Sequence, residues 1–186
     1  MTEEATTTTS VGKRLPLWVI VVSFAGLLAF LTLIAWGLHR NQAGPIAIGQ
    51  KVPPFSLTTF DGQVLKTTDY AGKVLVINFW ASWCQPCEQE ANSMEQAWQV
   101  YKPGGQVVFL GVDYVDTAPQ ALAFMKKFEV SYPNGPDLRT VISQMFHTTG
   151  VPETYILDRQ GKLAYVKKGP FQSLAEITTV VDGLVK

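Results

Sequence analysis

The sequence predicts an α/β domain, a mixed β-sheet flanked by helices on both faces, preceded by one N-terminal transmembrane helix. Three observations predict it. Residues 15–38 form a run of 24 residues without a charge. Residues 73–80 (KVLVINFW) and 106–114 (QVVFLGVDY) are largely apolar runs, the pattern of central strands buried on both faces. Between them lies a stretch with helical spacing, which implies parallel strands joined by a right-handed crossover.

At about 1.5 Å per residue the first run reaches about 36 Å, enough to cross a hydrocarbon core of about 30 Å. Trp18 and Trp36 lie near its ends, where indole rings favour the headgroup zone. A cleaved signal peptide has a shorter apolar region and a small-x-small site. This run is too long and continues into Leu38-His39-Arg40. A buried soluble helix would show a polar face, and this run has none. Lys13 and Arg14 before it, against Arg40 and Lys51 after it, slightly favour an N-terminus in the cytoplasm. The organisation expected is a polar cytoplasmic tail over residues 1–14, a transmembrane helix over 15–38, a linker over 39–50 and a folded domain over 51–186. The chain would then sit in the cell membrane as a single-pass protein with its soluble domain on the extracytoplasmic side.

The whole chain carries 15 Lys and Arg against 15 Asp and Glu. Setting aside Lys13, Arg14, Arg40, Glu3 and Glu4 leaves 12 against 13. Phosphate backbones require a basic excess, so nucleic acid is not an expected partner.

Within the folded domain, Asp61-Gly62 between residues 55–59 and 63–65 signals a hairpin. Residues 86–101 read as a helix, with Ala91, Met94, Ala97, Trp98 and Tyr101 along one stripe, and Pro103-Gly104-Gly105 ends it. Thr117 is placed to cap a helix over residues 119–128, with Leu122, Phe124, Met125 and Phe128 turned mostly inward. Residues 137–146 read as a short helix. Residues 153–157 and 162–167 are strands joined by the turn Asp158-Arg159-Gln160-Gly161. Ser173 and Glu176 fit a capping box that opens a last helix to about Leu184.

The chemistry is concentrated in Trp80-Ala81-Ser82-Trp83-Cys84-Gln85-Pro86-Cys87, which holds both cysteines of the chain. They follow a buried strand and open a helix. Unpaired N–H groups and the positive end of the helix dipole favour an anion there, so a thiolate at that place has a lowered pKa. A second cysteine one turn on can close a short disulfide, and such a pair can cycle between dithiol and disulfide. Competing readings exist. A structural zinc site needs four ligands, and beyond the cysteines only His39 and His147 are of the usual soft type. A copper-delivery module would take Cys84, Cys87 and His147. A thiol peroxidase would want Thr or Ser three residues before the cysteine, where Ala81 stands.

At these residues the chain resembles the thioredoxin superfamily, and within it the membrane-anchored TlpA/ResA/CcmG-like thiol-disulfide oxidoreductases of the AhpC/TSA-redoxin-like branch. The likeness runs from Gly49-Gln50-Lys51-Val52-Pro53-Pro54-Phe55, through Asn78-Phe79-Trp80 and the CxxC with Glu90, to Gly150-Val151-Pro152-Glu153-Thr154. It implies a thioredoxin-like fold. It also implies roles: Cys84 as the exposed nucleophile, Cys87 as the resolving thiol, and Pro152 as a cis-proline beside them. Glu90, one turn after Cys87, would be an acid/base. Trp83, Val151 and Glu153 would contact substrate, Val151 through its backbone. The acid that ordinary thioredoxin buries six residues before its first cysteine is Asn78 here, which passes proton handling to Glu90 or water. The resemblance implies protein disulfides as substrates, with apocytochrome c as a candidate client in cytochrome c maturation. It also implies a membrane electron donor of the CcdA/DsbD type, with no cofactor and no metal.

Overall fold

The protein is described as a computed structural model covering residues 16–41 and 44–186. The expected tail of residues 1–14, together with Leu15, lies outside the described residues. The chain divides into two compact units, the second of which is Pro45–Lys186.

Among the described residues of the first unit, helix α1 spans Leu17–Asn41. Within it Leu17–Gly37 has a mean hydropathy of 2.6 and is long and apolar enough to cross a membrane. Large apolar side chains from Leu17 to Trp36, among them Trp18, Phe24, Phe30 and Leu33, are exposed. The helix runs past Leu38, the expected end of the span, to Asn41. Apolar side chains do not terminate a helix, and Leu38-His39-Arg40 contains no breaker.

The second unit begins before residue 51. The Gly49 amide donates to Leu163 O at 2.7 Å, and the Leu163 amide donates to Gln50 O at 2.9 Å. Residues 45–50, expected in the linker, therefore belong to this unit. Strands β1 (Ser56–Thr58) and β2 (Val64–Lys66) form the expected antiparallel hairpin. Strand β3 (Val74–Trp80) leads into α2 (Gln85–Tyr101), which returns the chain to β4 (Val107–Asp113). Every residue of β3 and β4 is buried, as their continuous apolar runs require. They pair in parallel from Val74 opposite Val107 to Trp80 opposite Asp113.

Helix α3 (Ala118–Lys127) then leads to β5 (Asn134–Pro136), a strand the sequence pattern does not announce. Asn-Gly-Pro has poor strand propensity; parallel pairing with β4, Gly111 opposite Asn134, creates it. After α4 (Val141–Phe146), β6 (Glu153–Leu157) and β7 (Leu163–Lys168) form an antiparallel hairpin, and α5 (Leu174–Val185) closes the chain. The sheet order is β5-β4-β3-β6-β7, with β6 antiparallel to β3. The sheet is mixed, as expected.

Alternation along β3 sorts two cores. Leu75, Ile77 and Phe79 face Phe55, Leu57, Ile142 and Phe146, so the hairpin and α4 cover one face. Val74 and Val76 face Met94 and Ala97 of α2 and Ile177 and Val181 of α5 on the other. Ala121 and Phe124 of α3 pack with Trp80, whose ring stacks on Phe124 at 4.6 Å.

Three local expectations are corrected. Leu122, placed inward, is 47% exposed; α3 buries a narrower stripe, Ala121 and Phe124, than its sequence offers. Thr117 has the extended backbone of a cap, but its hydroxyl donates to Gln120 Oε1 rather than accepting from the helix. The helix expected over residues 137–146 begins only at Val141. Asp137 is buried ahead of it and accepts from the Ile142 and Ser143 amides at 3.2 and 2.8 Å, capping it from outside. The capping box before α5 forms at Ser173 as expected, and only its return bond is shifted by one residue. Ser173 Oγ accepts from Glu176 N at 3.3 Å, while Glu176 reaches back to the amide of Gln172 at 2.8 Å.

Candidate active site

Strand β3, the central strand, ends at Trp80 and α2 starts at Gln85, so the loop of residues 81–84 rises from the C-terminal end of β3. Cys84 is the N-cap residue of α2, and its Sγ accepts from the Cys87 amide at 3.1 Å. Pro86 sits in the first turn, where its missing N–H costs nothing. Cys84 and Cys87 are joined as a disulfide with S–S 2.02 Å and Cα–Cα 5.2 Å. The helix therefore presents its free amides to the first sulfur, the arrangement that stabilises a thiolate once the bond is reduced.

The expected exposure of Cys84 is corrected: it is 4% exposed, because its side chain joins a cluster with Trp80, Ala81, Cys87, Ala91 and Phe124. Trp83 beside it is 60% exposed. The Trp83 indole Nε1 donates to Val115 O at 3.3 Å, which holds the ring over the loop after β4. Val115 occupies the left-handed region at φ 48°, an unusual conformation for a β-branched residue.

Val151–Pro152 is a cis peptide bond. Pro152 is buried, and half-buried Val151 packs against the cysteine cluster. Outside the regular elements, no backbone hydrogen bond engages Val151 among the described residues.

Glu90 is 1% exposed, on the same face of α2 as Cys87. Its Oε1 accepts from Asn78 Nδ2 at 2.8 Å and its Oε2 from the Phe171 amide at 2.9 Å. Asn78 Nδ2 also donates to Thr154 Oγ1 at 3.0 Å. Burial pushes the Glu90 carboxyl up to about 7, against the pull of those two donors. The partners Thr154 and Phe171 N–H escape sequence reading, since they come from β6 and from the segment before α5.

Glu153, expected to line the docking groove, is corrected: it is 3% exposed and satisfied from within. It accepts from Tyr155 Oη at 2.6 Å and from Thr149 N and Oγ1 at 3.1 and 2.5 Å. Those bonds tie down the loop that carries Val151 and Pro152. His147 is an exposed residue at the end of α4. Among the described residues no three His, Cys, Asp or Glu side chains converge to hold a metal, so the Cys84, Cys87 and His147 set of the copper reading is not assembled. Ala81 is buried and brings no hydroxyl toward the cysteines, as a peroxide site would want.

Residues 48–166 match the AhpC/TSA family. The chain belongs to the AhpC/TSA family. Relatives of this AhpC/TSA-family protein include thiol-disulfide oxidoreductase ResA of Bacillus cereus (strain ATCC 10987 / NRS 248), 30% identical over 152 residues that cover 81% of this chain and 85% of the relative. ResA of Geobacillus kaustophilus is 28% identical over 153 residues, covering 81% of this chain and 87% of that one. Among solved structures, a thiol:disulfide interchange protein of the thioredoxin family from Chlorobium tepidum TLS superposes with TM-score 0.67 at 27% identity, covering 78% of this chain and 99% of that chain. DsbF from MTB, in mixed oxidised and reduced forms, superposes with TM-score 0.64 at 30% identity, covering 70% and 94%. With these likenesses the chain is a thiol-disulfide oxidoreductase of thioredoxin-like fold.

Proposed function

We propose that this oxidoreductase is a membrane-tethered reductase of client disulfides outside the cytoplasm, working through a Cys84–Cys87 dithiol/disulfide cycle. The observation that carries the reading is a buried carboxyl, Glu90, one turn below a cysteine pair at a helix N-terminus.

In the reduced state the Cys84 thiolate attacks a client disulfide, forming a mixed disulfide and releasing one client sulfur as thiolate. Glu90 takes the proton of Cys87. The Cys87 thiolate then attacks Cys84 Sγ, and the second client thiolate leaves. Two electrons have passed to the client, and Cys84–Cys87 is oxidised. Glu90 suits this step because its affinity for a proton lies near neutral pH, so it can both accept and return one. A client segment would lie extended along the unpaired backbone of Val151, beside Pro152, with the Trp83 ring as an apolar contact.

The tether would be α1, with residues 1–14 in the cytoplasm and the domain on the far side; support comes from its length and hydropathy. Apocytochrome c, whose haem-binding cysteines must be reduced, is the client class proposed. A CcdA/DsbD-type membrane donor would restore the dithiol. The Gln85-Pro86 pair between the cysteines adds no charge to stabilise a thiolate further, which supports the reducing direction.

The test is the full chain carrying Cys87→Ser, expressed in membranes. It should accumulate clients as mixed disulfides on Cys84, identified by mass spectrometry, with apocytochrome c among them. A catch identical to that of a Cys84→Ser control would overturn the reading.

A further inference from the structure

Asp113 ends β4, opposite Trp80 in register, at the C-terminal end of the parallel strands from which the Cys84 loop rises. It is 0% exposed, and neither carboxylate oxygen accepts a hydrogen bond. A bare carboxylate so placed is strongly disfavoured. Trp80 from β3 and Pro136 from β5 flank it in register, and neither titrates. The Asp137 amide donates to the Asp113 carbonyl, but the Asp137 carboxylate is turned to the amides of α4. Among the described residues no Lys or Arg offsets the burial, and the ionisable neighbour that acts on Asp113 is Asp116.

Asp116 is already committed as an acceptor. Its Oδ2 accepts from Ser82 N at 2.6 Å and its Oδ1 from Thr117 N at 2.7 Å. Asp116 therefore has a donor on each oxygen, and Asp113 has none among the described residues. Two facing carboxylates repel; they bond only when one holds a proton. Burial first and Asp116 next push the Asp113 carboxyl up to about 7.

We propose that Asp113 is a positioning residue for the thiol chemistry: it carries a proton that it donates to Asp116, and this pair holds the Ser82 amide and with it the loop bearing Trp83 and Cys84. The kinetic consequence rests on the reading of Cys84 as nucleophile; the pair itself does not. When Asp113 ionises, its proton passes to solvent, the two anions repel, and the hold on Ser82 weakens.

The test uses the oxidised full chain in detergent micelles with 13C-carboxyl aspartate, which separates Asp113 from Glu90. One aspartate resonance should stay protonated to about pH 7 and vanish in Asp113→Asn. The Ser82 amide should lose exchange protection as that resonance titrates. Asp113→Asn, which still donates but cannot ionise, should keep Ser82 protected across the range. Asp113→Leu should speed Ser82 exchange about ten-fold at pH 6, the equivalent of one lost hydrogen bond. In the reduced protein, alkylation of Cys84 should show a second inflection near neutral pH, beyond that of the thiol itself, that Asp113→Asn lacks. Should all aspartates titrate below pH 5, or Ser82 exchange prove indifferent to Asp113→Leu, the proposal fails. Should Asp113→Leu not fold, the wild-type titration and its downward shift in Asp116→Asn decide. Failure of the reductase reading would look different: clients go unreduced while the carboxyl titration stands.

Discussion

Asn78 Nδ2 lies 2.8 Å from Glu90 Oε1, so an amide from β3 meets a carboxyl from α2 beneath the cysteine pair. The amide cannot accept a proton, and it donates to Glu90, which can. Replacing it separates orientation from proton chemistry. Asn78→Asp would put two carboxyls where one now stands, and like charges at hydrogen-bond distance cannot both ionise. The pH optimum for client reduction should move upward by about one unit or more, measured as initial rates from pH 5 to 9. An unmoved optimum would mean that Glu90 does not govern the rate.

Glu90→Gln keeps the shape and the bond from Phe171 or Asn78 but removes the proton acceptor. General-base catalysis is worth about 10²–10⁴-fold. Client reduction near pH 7 should fall by about 10²-fold, while alkylation of Cys84 in the reduced protein changes little. Equal loss in both assays would show that Glu90 serves the fold rather than the resolving step.

Stability should depend on pH in a direction set by buried acids. Glu90 and Asp113 both have carboxyls raised to about 7 from ordinary values of 4.5 and 3.8. Between the unfolded and folded values the native state binds more protons than the unfolded one, so stability falls as pH rises through that window and levels off above it. Each group contributes a slope of at most about 1.4 kcal/mol per pH unit. Denaturant midpoints of the oxidised protein should therefore drop between about pH 5 and 7, and less steeply in Glu90→Gln. A rise across that interval would contradict the burial of these groups as acids.

Gly111→Ala tests the packing that supports the site. A Cβ there would stand 1.6 Å from Asn134 Oδ1 and 3.0 Å from Trp80 Nε1. Asn134 cannot swing aside freely, since it is buried, accepts from Trp80 Nε1 at 2.7 Å and donates to Tyr132 O at 2.7 Å. Overpacking plus the broken bond should cost about 3 kcal/mol, read as a lower chemical-denaturation midpoint. A shift under about 0.5 kcal/mol would show that β5 is free to move.

Much of this protein is readable along the chain because the deciding signals are local. A charge-free run long enough to cross a bilayer, two continuous apolar strands, a helical stripe between them and the Asp158–Gly161 turn are each contained in a short window. So is the placing of Cys84 and Cys87 where a strand gives way to a helix, and thiol chemistry follows from that place. Tertiary structure decided what depends on distant partners. Strand β5 exists because β4 offers it an edge. Glu90 is a buried acid rather than a solvent-facing helix residue because Asn78 and the Phe171 amide, 12 and 81 positions away in sequence, converge on it. Glu153 turned from a groove residue into an internal tie through Thr149 and Tyr155, and Asp113 became an acid without a donor beside Asp116. Residue type states which protons a group can hold; the protonation it adopts is set by the dielectric and the neighbours that folding brings around it.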